Sequence, residues 1–146
     1  MDNQIIITDL DGTIALDTGR AQECLHSGKK DWDAYYDRCD EDKPNEKIIS
    51  MLNSFRDKYL WILSGRVNKT RSVTEAWLAR HGLEFDHLVM RADGDHTDDH
   101  RLKLSWAQSF GFTPQRVWFI LEDRDRMVQA WRDAGYTCLQ VARGEF

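Results

Sequence analysis

Short apolar runs alternate with longer amphipathic segments along this chain, and the alternation predicts an α/β fold. Runs of four or five apolar or β-prone residues are typical of parallel strands that are covered on both faces. The strongest runs occupy residues 5–8, 60–63 and 117–121, and weaker ones occupy 88–90 and 137–141. We therefore expect a sheet of short, buried strands.

Segments with helical periodicity separate these strands. They are a segment that opens at residues 44–46 and three others at about 70–81, 99–110 and 126–134. Pro44 suits a first helical turn, and Gly82 and Gly135 follow two of the segments, where glycine commonly ends a helix. Strands that alternate with helices form parallel sheets with right-handed crossovers. The expected architecture is a Rossmann-like parallel sheet with helices on both faces.

Residues 14–43 do not follow this alternation, because they lie between the first strand and the first regular helix. Within them, the aromatic-rich residues 31–38 predict a short helix. We expect a small cap insertion at about 14–43, after the first strand, that covers the ends of the strands. The whole chain, residues 1–146, is the size of a single domain. Residues 91–99 are polar and contain a glycine, as is typical of a loop.

Composition and charge narrow the function classes. Of 146 residues, 41% are hydrophobic and 31% are charged, and the net charge is −5. This balance excludes a basic coat for gripping long duplex nucleic acid, although it allows a local basic pocket. Three cysteines at unrelated spacings, Cys24, Cys39 and Cys138, predict reduced thiols and a cytoplasmic location. The first residues are not typical of a signal peptide and the apolar runs are short, so we expect no membrane partner.

Polar side chains follow each of the three strong strands, at the edge where an open α/β sheet carries its reactive groups. They are Asp9-Leu10-Asp11-Gly12-Thr13 after the first strand, Ser64-Gly65-Arg66 after the second, Glu122-Asp123-Arg124 after the third, and Lys103 early in the third helical segment. Because the carboxyl ends of parallel strands share one edge of the sheet, we expect these residues to converge on one crevice.

The residue types in that crevice suit phosphoryl transfer. A carboxylate such as Asp9 can attack phosphorus, and a second carboxyl such as Asp11 can protonate the leaving oxygen and then activate water. Ser64 and Lys103 can bind phosphate oxygens. Asp123, together with Asp9, suits Mg²⁺, a hard cation that prefers oxygen ligands. The pattern therefore predicts a magnesium-dependent phosphatase.

This set of motifs resembles the haloacid dehalogenase superfamily over the whole chain. In that family a nucleophilic Asp is followed two residues later by a second Asp, which match Asp9 and Asp11. The later motifs are a Ser or Thr, a Lys and an acidic pair, which match Ser64, Lys103 and Glu122-Asp123. An acid at the position of Asp11 is typical of the phosphatases and mutases. The resemblance implies that Asp9, Lys103 and Asp11 are catalytic.

A narrower resemblance is to the 3′-phosphatase domain of phage-type polynucleotide kinase-phosphatases. It rests on Gly19-Arg20, on Arg38-Cys39-Asp40-Glu41-Asp42, on Ser64-Gly65-Arg66 and on residues 122–146. The resemblance implies that substrate or phosphate is bound by Thr13, Arg20, Asp40, Ser64, Gly65 and Arg66, and that Mg²⁺ is held by Asp9, Asp11, Glu122 and Asp123. The sequence departs from the family in having Glu122 where the family has Asp, and in a longer insertion between Arg20 and Asp40.

The activity that this resemblance implies is removal of 3′-phosphates from DNA or RNA ends. Two alternatives stay open: a phosphatase of free nucleotides or other small phosphate esters, and a module that binds phosphorylated ends without catalysis. The phosphate-binding motif GxxxxGK[ST] is absent from these residues, so we expect no 5′-kinase activity from them. A separate kinase or ligase is the expected protein partner.

Three further groups have two interpretations each. Trp32, Tyr35 and Tyr36 either stack on a base or pack within the cap. The cationic residues Lys29, Lys30 and Arg38 either steer a polyanion toward the crevice or form a solvated face. For the pair His96 and His100, we expect a solvated acidic loop rather than a metal site.

Overall fold

The computed structural model describes residues 2–26 and 28–146. Residue 1, at the start of the N-terminal run, and residue 27, inside the predicted cap, lie outside the described residues. Five parallel strands form the main sheet: β1 (Ile5–Thr8), β4 (Tyr59–Val67), β5 (His87–Arg91), β6 (Val117–Glu122) and β7 (Cys138–Gln140). Their spatial order is β5-β4-β1-β6-β7, and every pairing between neighbours is parallel.

Four helices connect these strands and cover both faces of the sheet. They are α2 (Glu46–Asn53), α3 (Arg71–Arg80), α4 (Asp99–Ser109) and α5 (Asp125–Asp133). The chain runs outward from β1 to β5 and then returns to the other side of β1 at β6, so that the strand order reverses beside β1. A reversal of this kind leaves a crevice outside the carboxyl ends of the central strands, where α/β proteins bind ligands.

Each face of the sheet has its own apolar core, which explains why β1 lacks polar alternation. Ile6 faces a cluster that includes Leu52 of α2 and Trp77 of α3. Its neighbours Ile5 and Ile7 face a second cluster, which includes Trp131 of α5. Successive strand residues point to opposite faces, so a strand that is buried on both sides needs an apolar residue at every position.

The segment between β1 and α2 builds a small structure at the carboxyl edge of the sheet. It contains β2 (Ala15–Leu16), a π-helical segment Gln22–His26, α1 (Trp32–Asp37), a 3₁₀ turn Cys39–Glu41 and β3 (Lys43–Pro44). β2 and β3 pair antiparallel, which returns the chain to its starting edge. The Asp31 carboxylate caps α1 by accepting a hydrogen bond from the backbone N–H of Ala34 at 3.0 Å.

The parallel sheet and its order of elements confirm the predicted fold class, but two boundaries differ. Pro44 belongs to β3 rather than to the first turn of α2, because its backbone pairs with Ala15. β4 continues to Val67, so Ser64, Gly65 and Arg66 lie inside the strand and not after it. Arg91 of β5 pairs with Val67 across a register shift, and its side chain donates to the carbonyl of Gly65 at 2.9 Å. These contacts extend the strand through polar residues.

Two further expectations concern cysteines and membranes. Cys24, Cys39 and Cys138 are buried and free of disulfides. No helix within residues 2–26 and 28–146 has the length and apolar character needed to cross a bilayer.

Candidate active site

The candidate site lies at the carboxyl ends of β1 and β6, where the strand order reverses. Asp9 directly follows β1, Glu122 ends β6, and Asp123 is the next residue. The backbone N–H of Asp9 donates to the carbonyl of Leu121 at 2.9 Å. This bond continues the sheet pairing by one residue, and it brings the side chains of the two strand ends to the same level.

Lys103 links the two strand ends from α4. Its ammonium donates to Asp9 Oδ1 at 2.8 Å and to Glu122 Oε2 at 3.2 Å, and it lies 3.6 Å from Asp99 Oδ2. Burial by itself would lower the pKa of Lys103, but the carboxylates of Asp9, Glu122 and Asp99 hold that pKa well above its usual value. Lys103 therefore carries a full positive charge beside Asp9, although the side chain is only 1% exposed.

Three buried carboxylates form a candidate metal site around this lysine. Ligand oxygens of Asp9, Glu122 and Asp123 lie within 4.8 Å of one another. Burial, followed by the charge of Asp9, raises the pKa of Glu122 well above its ordinary value. The same two causes raise the pKa of Asp123 to about 8. Carboxylates in such a group repel one another, and a hard divalent cation with oxygen ligands offsets that repulsion, so the donor set fits Mg²⁺.

Asp11 lies apart from this carboxylate cluster and faces two arginines. Arg66 donates to Asp11 from Nη2 to Oδ1 at 2.8 Å and from Nε to Oδ2 at 3.1 Å, and Arg20 Nη2 donates to Oδ1 at 3.2 Å. Burial would raise the pKa of Asp11, but the charge and hydrogen bonds of Arg66, together with Arg20 and Lys103, hold it below its ordinary value. The Asp11 carboxylate is therefore not grouped with those of Asp9, Glu122 and Asp123, and its role as a metal ligand stays a prediction.

A buried carboxylate that the sequence analysis did not select holds both arginines. Asp42 accepts from Arg20 Nε and Nη2, each at 2.8 Å, and from Arg66 Nη2 at 3.2 Å. All three side chains are 1% exposed. Both carboxylate oxygens of Asp42 accept hydrogen bonds from Arg20, and a bidentate pair of this kind fixes a guanidinium in one orientation. Nη1 of Arg66 donates to Thr74 and Nη1 of Arg20 donates to the carbonyl of Tyr35. The donors that reach Asp11 are Arg66 Nε and Nη2 and Arg20 Nη2.

Asp40, the predicted member of this group, is exposed and lies outside it. Among the described residues, its backbone carbonyl accepts a hydrogen bond from Arg80 at 3.4 Å. Asp40 and Asp42 differ in exposure because of their positions along the backbone. Asp40 lies in the 3₁₀ turn Cys39–Glu41, whereas Asp42 follows that turn with extended backbone and is held over the core by the bond from Trp77 Nε1 to its carbonyl at 2.9 Å.

Of the other predicted residues, Thr13 contacts Asp9, whereas Ser64 contacts Arg66 and Gly65 lies beside Asp99. The Thr13 hydroxyl donates to Asp9 Oδ2 at 3.4 Å. Ser64 is fully buried, and its hydroxyl oxygen accepts from the backbone N–H of Arg66 at 3.1 Å. Gly65 lies so close to Asp99 that an added Cβ would be 2.6 Å from Asp99 Oδ1.

Two glycines allow the chain to pack tightly around Asp123. Gly12 has a φ of +84°, a conformation that side chains disfavour, and an added Cβ would lie 2.0 Å from Asp123 Oδ2. A Cβ on Gly144 would lie 2.3 Å from the carbonyl oxygen of Asp123. The C-terminal segment also holds this loop through Gln140 Nε2, which donates to the Asp123 carbonyl at 2.9 Å. The turn after β1 and the C-terminal segment together fix the position of the Asp123 backbone.

Besides Asp42, Asp99 was not predicted from the sequence as a neighbour of Lys103. A signal for it was present, because Asp99 and Lys103 are four residues apart on one helix and such pairs face each other. No comparable local signal existed for Asp42, since its partners lie 22 and 24 positions away.

Asp9 and Asp11 lie in different electrostatic surroundings. Asp9 lies between a fixed positive charge, on Lys103, and two further carboxylates that suit a divalent cation. Asp11 is partly exposed, at 33%, and lies beside two buried guanidinium groups. A phosphoryl group between Asp9 and Asp11 would have positive charge on both sides, as phosphoryl transfer requires.

Comparison with known proteins assigns the chain to a family. The family model of the polynucleotide kinase PNKP phosphatase domain matches residues 3–146. The chain belongs to the PNKP phosphatase domain family. This PNKP phosphatase domain is thus of the haloacid dehalogenase-like fold class, and the recognition made from its motifs is confirmed.

Relatives of this PNKP phosphatase domain are longer proteins. A chain of the Pnkp1/Rnl/Hen1 RNA repair complex superposes with a TM-score of 0.81 at 28% identity, over 99% of this chain and 44% of that one. A protein of Autographa californica nuclear polyhedrosis virus, whose assigned name is bifunctional polynucleotide kinase/RNA ligase, is 26% identical over 135 residues, which are 88% of this chain and 18% of the viral protein. The chain therefore spans less than half the length of either relative.

A more distant structure has the same fold. A haloacid dehalogenase family enzyme of Bacteroides thetaiotaomicron, solved in complex with magnesium and inorganic phosphate, superposes with a TM-score of 0.58 at 11% identity. The superposition covers 99% of this chain and 96% of that enzyme. At this identity the likeness establishes the fold of the PNKP phosphatase domain, and nothing more specific.

Proposed function

We propose that this chain is a Mg²⁺-dependent phosphomonoesterase that removes 3′-phosphates from polynucleotide ends through an aspartyl-phosphate intermediate. The observation that carries the proposal is the Asp9 carboxylate, which is held by Lys103 at 2.8 Å and grouped with Glu122 and Asp123. Membership of a phosphatase-domain family supports the reaction class.

In the first step, a carboxylate oxygen of Asp9 attacks phosphorus and the bond from phosphorus to the leaving oxygen breaks. Asp11 supplies the proton that the leaving oxygen takes up, so the products are a hydroxyl end and a phosphorylated Asp9. In the free protein, Arg66 and Arg20 keep Asp11 ionised. A bound phosphate dianion takes up part of the hydrogen bonding of those arginines and brings negative charge to Asp11, and both effects raise its pKa toward that of a proton donor.

In the second step, Asp11 takes a proton from water as the water oxygen attacks the phosphorus of the intermediate. The bond between Asp9 and phosphorus breaks, and inorganic phosphate leaves. Asp9 is then free again, and Asp11 loses to solvent the proton it took from water, because Arg66 and Arg20 again favour its ionised form. Lys103 stabilises the negative charge on Asp9 when it is the leaving carboxylate, because its ammonium is already in place and does not have to reorganise.

Asp9, Glu122 and Asp123 would hold Mg²⁺. When bound, the ion supplies positive charge against the phosphate oxygens and offsets the repulsion between phosphate and carboxylates. The longer side chain of Glu122 still places its carboxylate in this cluster, where it also accepts a hydrogen bond from Lys103 at 3.2 Å.

We propose RNA 3′ ends as the first substrate to test and kinase and ligase activities as the partners. Two relatives support this choice: one lies in an RNA repair complex and the other has a name that joins a polynucleotide kinase with an RNA ligase. A phosphatase that converts a 3′-phosphate to a 3′-hydroxyl supplies the group that an end-joining reaction consumes.

The test is a substrate panel in Mg²⁺ that contains a 3′-phosphorylated RNA, the matching DNA, nucleoside 3′-phosphates and glycerol phosphate. We expect the RNA or DNA end to have the highest kcat/KM, and Asp9→Asn to abolish turnover while the exposed Asp57→Asn leaves it unchanged. Full turnover by the Asp9→Asn protein would contradict the mechanism. A higher kcat/KM on nucleoside phosphates or glycerol phosphate than on polynucleotide ends would instead favour a small-ester phosphatase.

A further inference from the structure

A cavity of about 590 Å³ lies between the cap helix α1, the carboxyl end of β5 and the first turns of α4 and α5. Its size is within the range of clefts that bind small organic ligands, about 300–1,000 Å³. Trp32 and Tyr36 line it on the cap side, and Asp99 lines it on the side of the sheet. None of the residues selected for the phosphoryl chemistry from the sequence belongs to its described lining.

The cavity borders the phosphoryl site through Asp99. The Asp99 carboxylate both lines the cavity and lies 3.6 Å from the Lys103 ammonium, which contacts Asp9. On the opposite wall, burial raises the pKa of Tyr36, and the charges of Asp11 and Asp99 act in the same direction. A substrate whose phosphate is attacked by Asp9 therefore has room for its attached group in this cavity.

The three aromatic residues of the cap pack against one another, and Trp32 and Tyr36, but not Tyr35, belong to the described lining of the cavity. The Tyr35 ring lies against the guanidinium of Arg20 at 4.0 Å, so it packs over the arginine group. Trp32 and Tyr36 instead line the cavity, with nearly parallel rings at an angle of 29° and 5.9 Å between their centroids. Trp32 is 49% exposed. Large aromatic faces that line an open cavity are the type of surface on which nucleic acid bases stack.

Two further features of the cavity suit a nucleotide. The loop that forms one wall offers Asp93, Asp95 and Asp98 as hydrogen-bond acceptors for exocyclic amines. Cations of the same lining are available to the phosphate of a neighbouring nucleotide, and they are Lys69, Arg91, Arg124 and Arg126. The rings of Trp32 and Tyr36 are also packed, because both contact the ring of Tyr35, which lies over the buried Arg20 guanidinium. A fixed aromatic surface loses little conformational entropy when a ligand binds.

We propose that this cavity binds the nucleoside that carries the scissile 3′-phosphate, with its base against Trp32 and Tyr36. The inference rests on the proposed function for the position of the phosphate, and it adds the subsite that distinguishes a nucleotide from other phosphate esters. Trp32 and Tyr36 are then specificity-determining residues for the base.

The experiment compares two substrates that differ only in the base: an RNA with a 3′-phosphorylated terminal nucleotide, and the same RNA whose terminal residue is abasic. We expect the wild-type protein to favour the complete nucleotide in kcat/KM. Trp32→Ala should lower that preference by about 5- to 100-fold, the usual range for loss of one base-stacking side chain. Trp32→Phe should retain most of it. Trp118→Ala is the matched control, because Trp118 is similarly exposed, at 45%, and lies at the start of β6, at the opposite edge of the sheet.

Calorimetric binding of adenosine 3′-phosphate and ribose 3-phosphate to Asp9→Asn protein provides a measurement that does not need turnover. We expect adenosine 3′-phosphate to bind more tightly, and the added substitution Trp32→Ala to remove most of that difference. Equal affinities, or an equal loss for both ligands in the Trp32→Ala protein, would overturn the base subsite. Absence of turnover on every 3′-phosphate, with the difference in binding intact, would refute the proposed reaction and leave the subsite standing.

Discussion

Arg66 donates hydrogen bonds to both carboxylate oxygens of Asp11, at 2.8 and 3.1 Å. The pair joins the carboxyl end of β4 to the turn after β1, and it places a buried guanidinium beside Asp11, where the proposed reaction would bring a phosphate. Because the same guanidinium is held by Asp42 at 3.2 Å, it can interact with phosphate while remaining in position.

We expect Arg66→Gln to weaken phosphate binding. Loss of a charge-assisted hydrogen bond usually costs about 1.5–3 kcal/mol, so the inhibition constant of inorganic phosphate should rise about 10- to 100-fold. Steady-state inhibition in Mg²⁺ measures it, with the exposed Arg56→Gln as the control. An unchanged inhibition constant would show that Arg66 positions Asp11 without contacting phosphate.

The buried Lys103 and the exposed Arg101, two residues before it, offer a direct comparison. Lys103→Met removes the only cation within reach of Asp9 among the described residues, and it leaves Asp9 and Glu122 without their partner. Breaking a buried pair in this way typically destabilises a protein by about 3–5 kcal/mol. We expect lower stability in urea and at least about a hundredfold loss of kcat/KM. Arg101→Met should change neither the stability in urea nor kcat/KM. A large loss of activity in the Arg101→Met protein would contradict the proposed catalytic role of Lys103.

The two acids Asp40 and Asp42 provide a second matched pair. Asp42→Asn weakens the hold on Arg20 and Arg66, so we expect kcat/KM to fall by about 10- to 100-fold and thermal stability to fall with it. Asp40→Asn alters an exposed side chain and should stay within about 0.5 kcal/mol of wild type in free energy of unfolding. If the Asp40→Asn protein were the inactive one, the assignment made from the sequence would stand and the one made from the structure would fail.

Close packing at Gly144 predicts an effect on the metal site from a residue that contributes no ligand. In Gly144→Val, the side chain would collide with the Asp123 carbonyl, where even a Cβ would be 2.3 Å away. We expect the Asp123 loop to shift and the apparent affinity for Mg²⁺ to fall by tenfold or more (~1.4 kcal/mol), as measured by thermal shift. Glu145→Ala, at the next and exposed position, serves as the control. Identical Mg²⁺ affinities in the two proteins would exclude this role for the C-terminal segment.

The stabilisation by Mg²⁺ should depend on pH. Burial and the charge of Asp9 raise the pKa of Asp123 from 3.8 to about 8. The metal-free folded state therefore binds this proton more tightly than the unfolded chain does, and its contribution to stability is lost as pH rises from 3.8 to about 8. Magnesium competes with the proton, so the rise in Tm caused by Mg²⁺ should grow over this window. A rise in Tm that is constant across the window, or unchanged by Asp123→Asn, would contradict the assignment.

The order of strands and helices was predictable because each element is specified by residues that are close in sequence. β1 has three successive isoleucines, at positions 5 to 7, and must be buried on both faces. The residues that follow the strand emerge at the carboxyl edge. The boundaries of the strands were harder to predict from the sequence. The extension of β4 through Ser64, Gly65 and Arg66 depends on pairing with β5, 24 positions later in the case of Val67 and Arg91.

Local patterns in the amino-acid sequence were enough to establish the parallel sheet, the Asp9–Asp11 motif and the edge of the sheet at which Ser64, Lys103, Glu122 and Asp123 would meet. They could not establish which side chains face one another across that edge. The choice of Asp42 over Asp40, the position of Asp11 beside the arginines instead of the metal ligands, and the division of the cap aromatics all depend on packing between distant segments. Periodicity and turn chemistry act over a few residues, whereas a contact such as Lys103 to Asp9 spans 94 positions and exists only after the sheet has assembled.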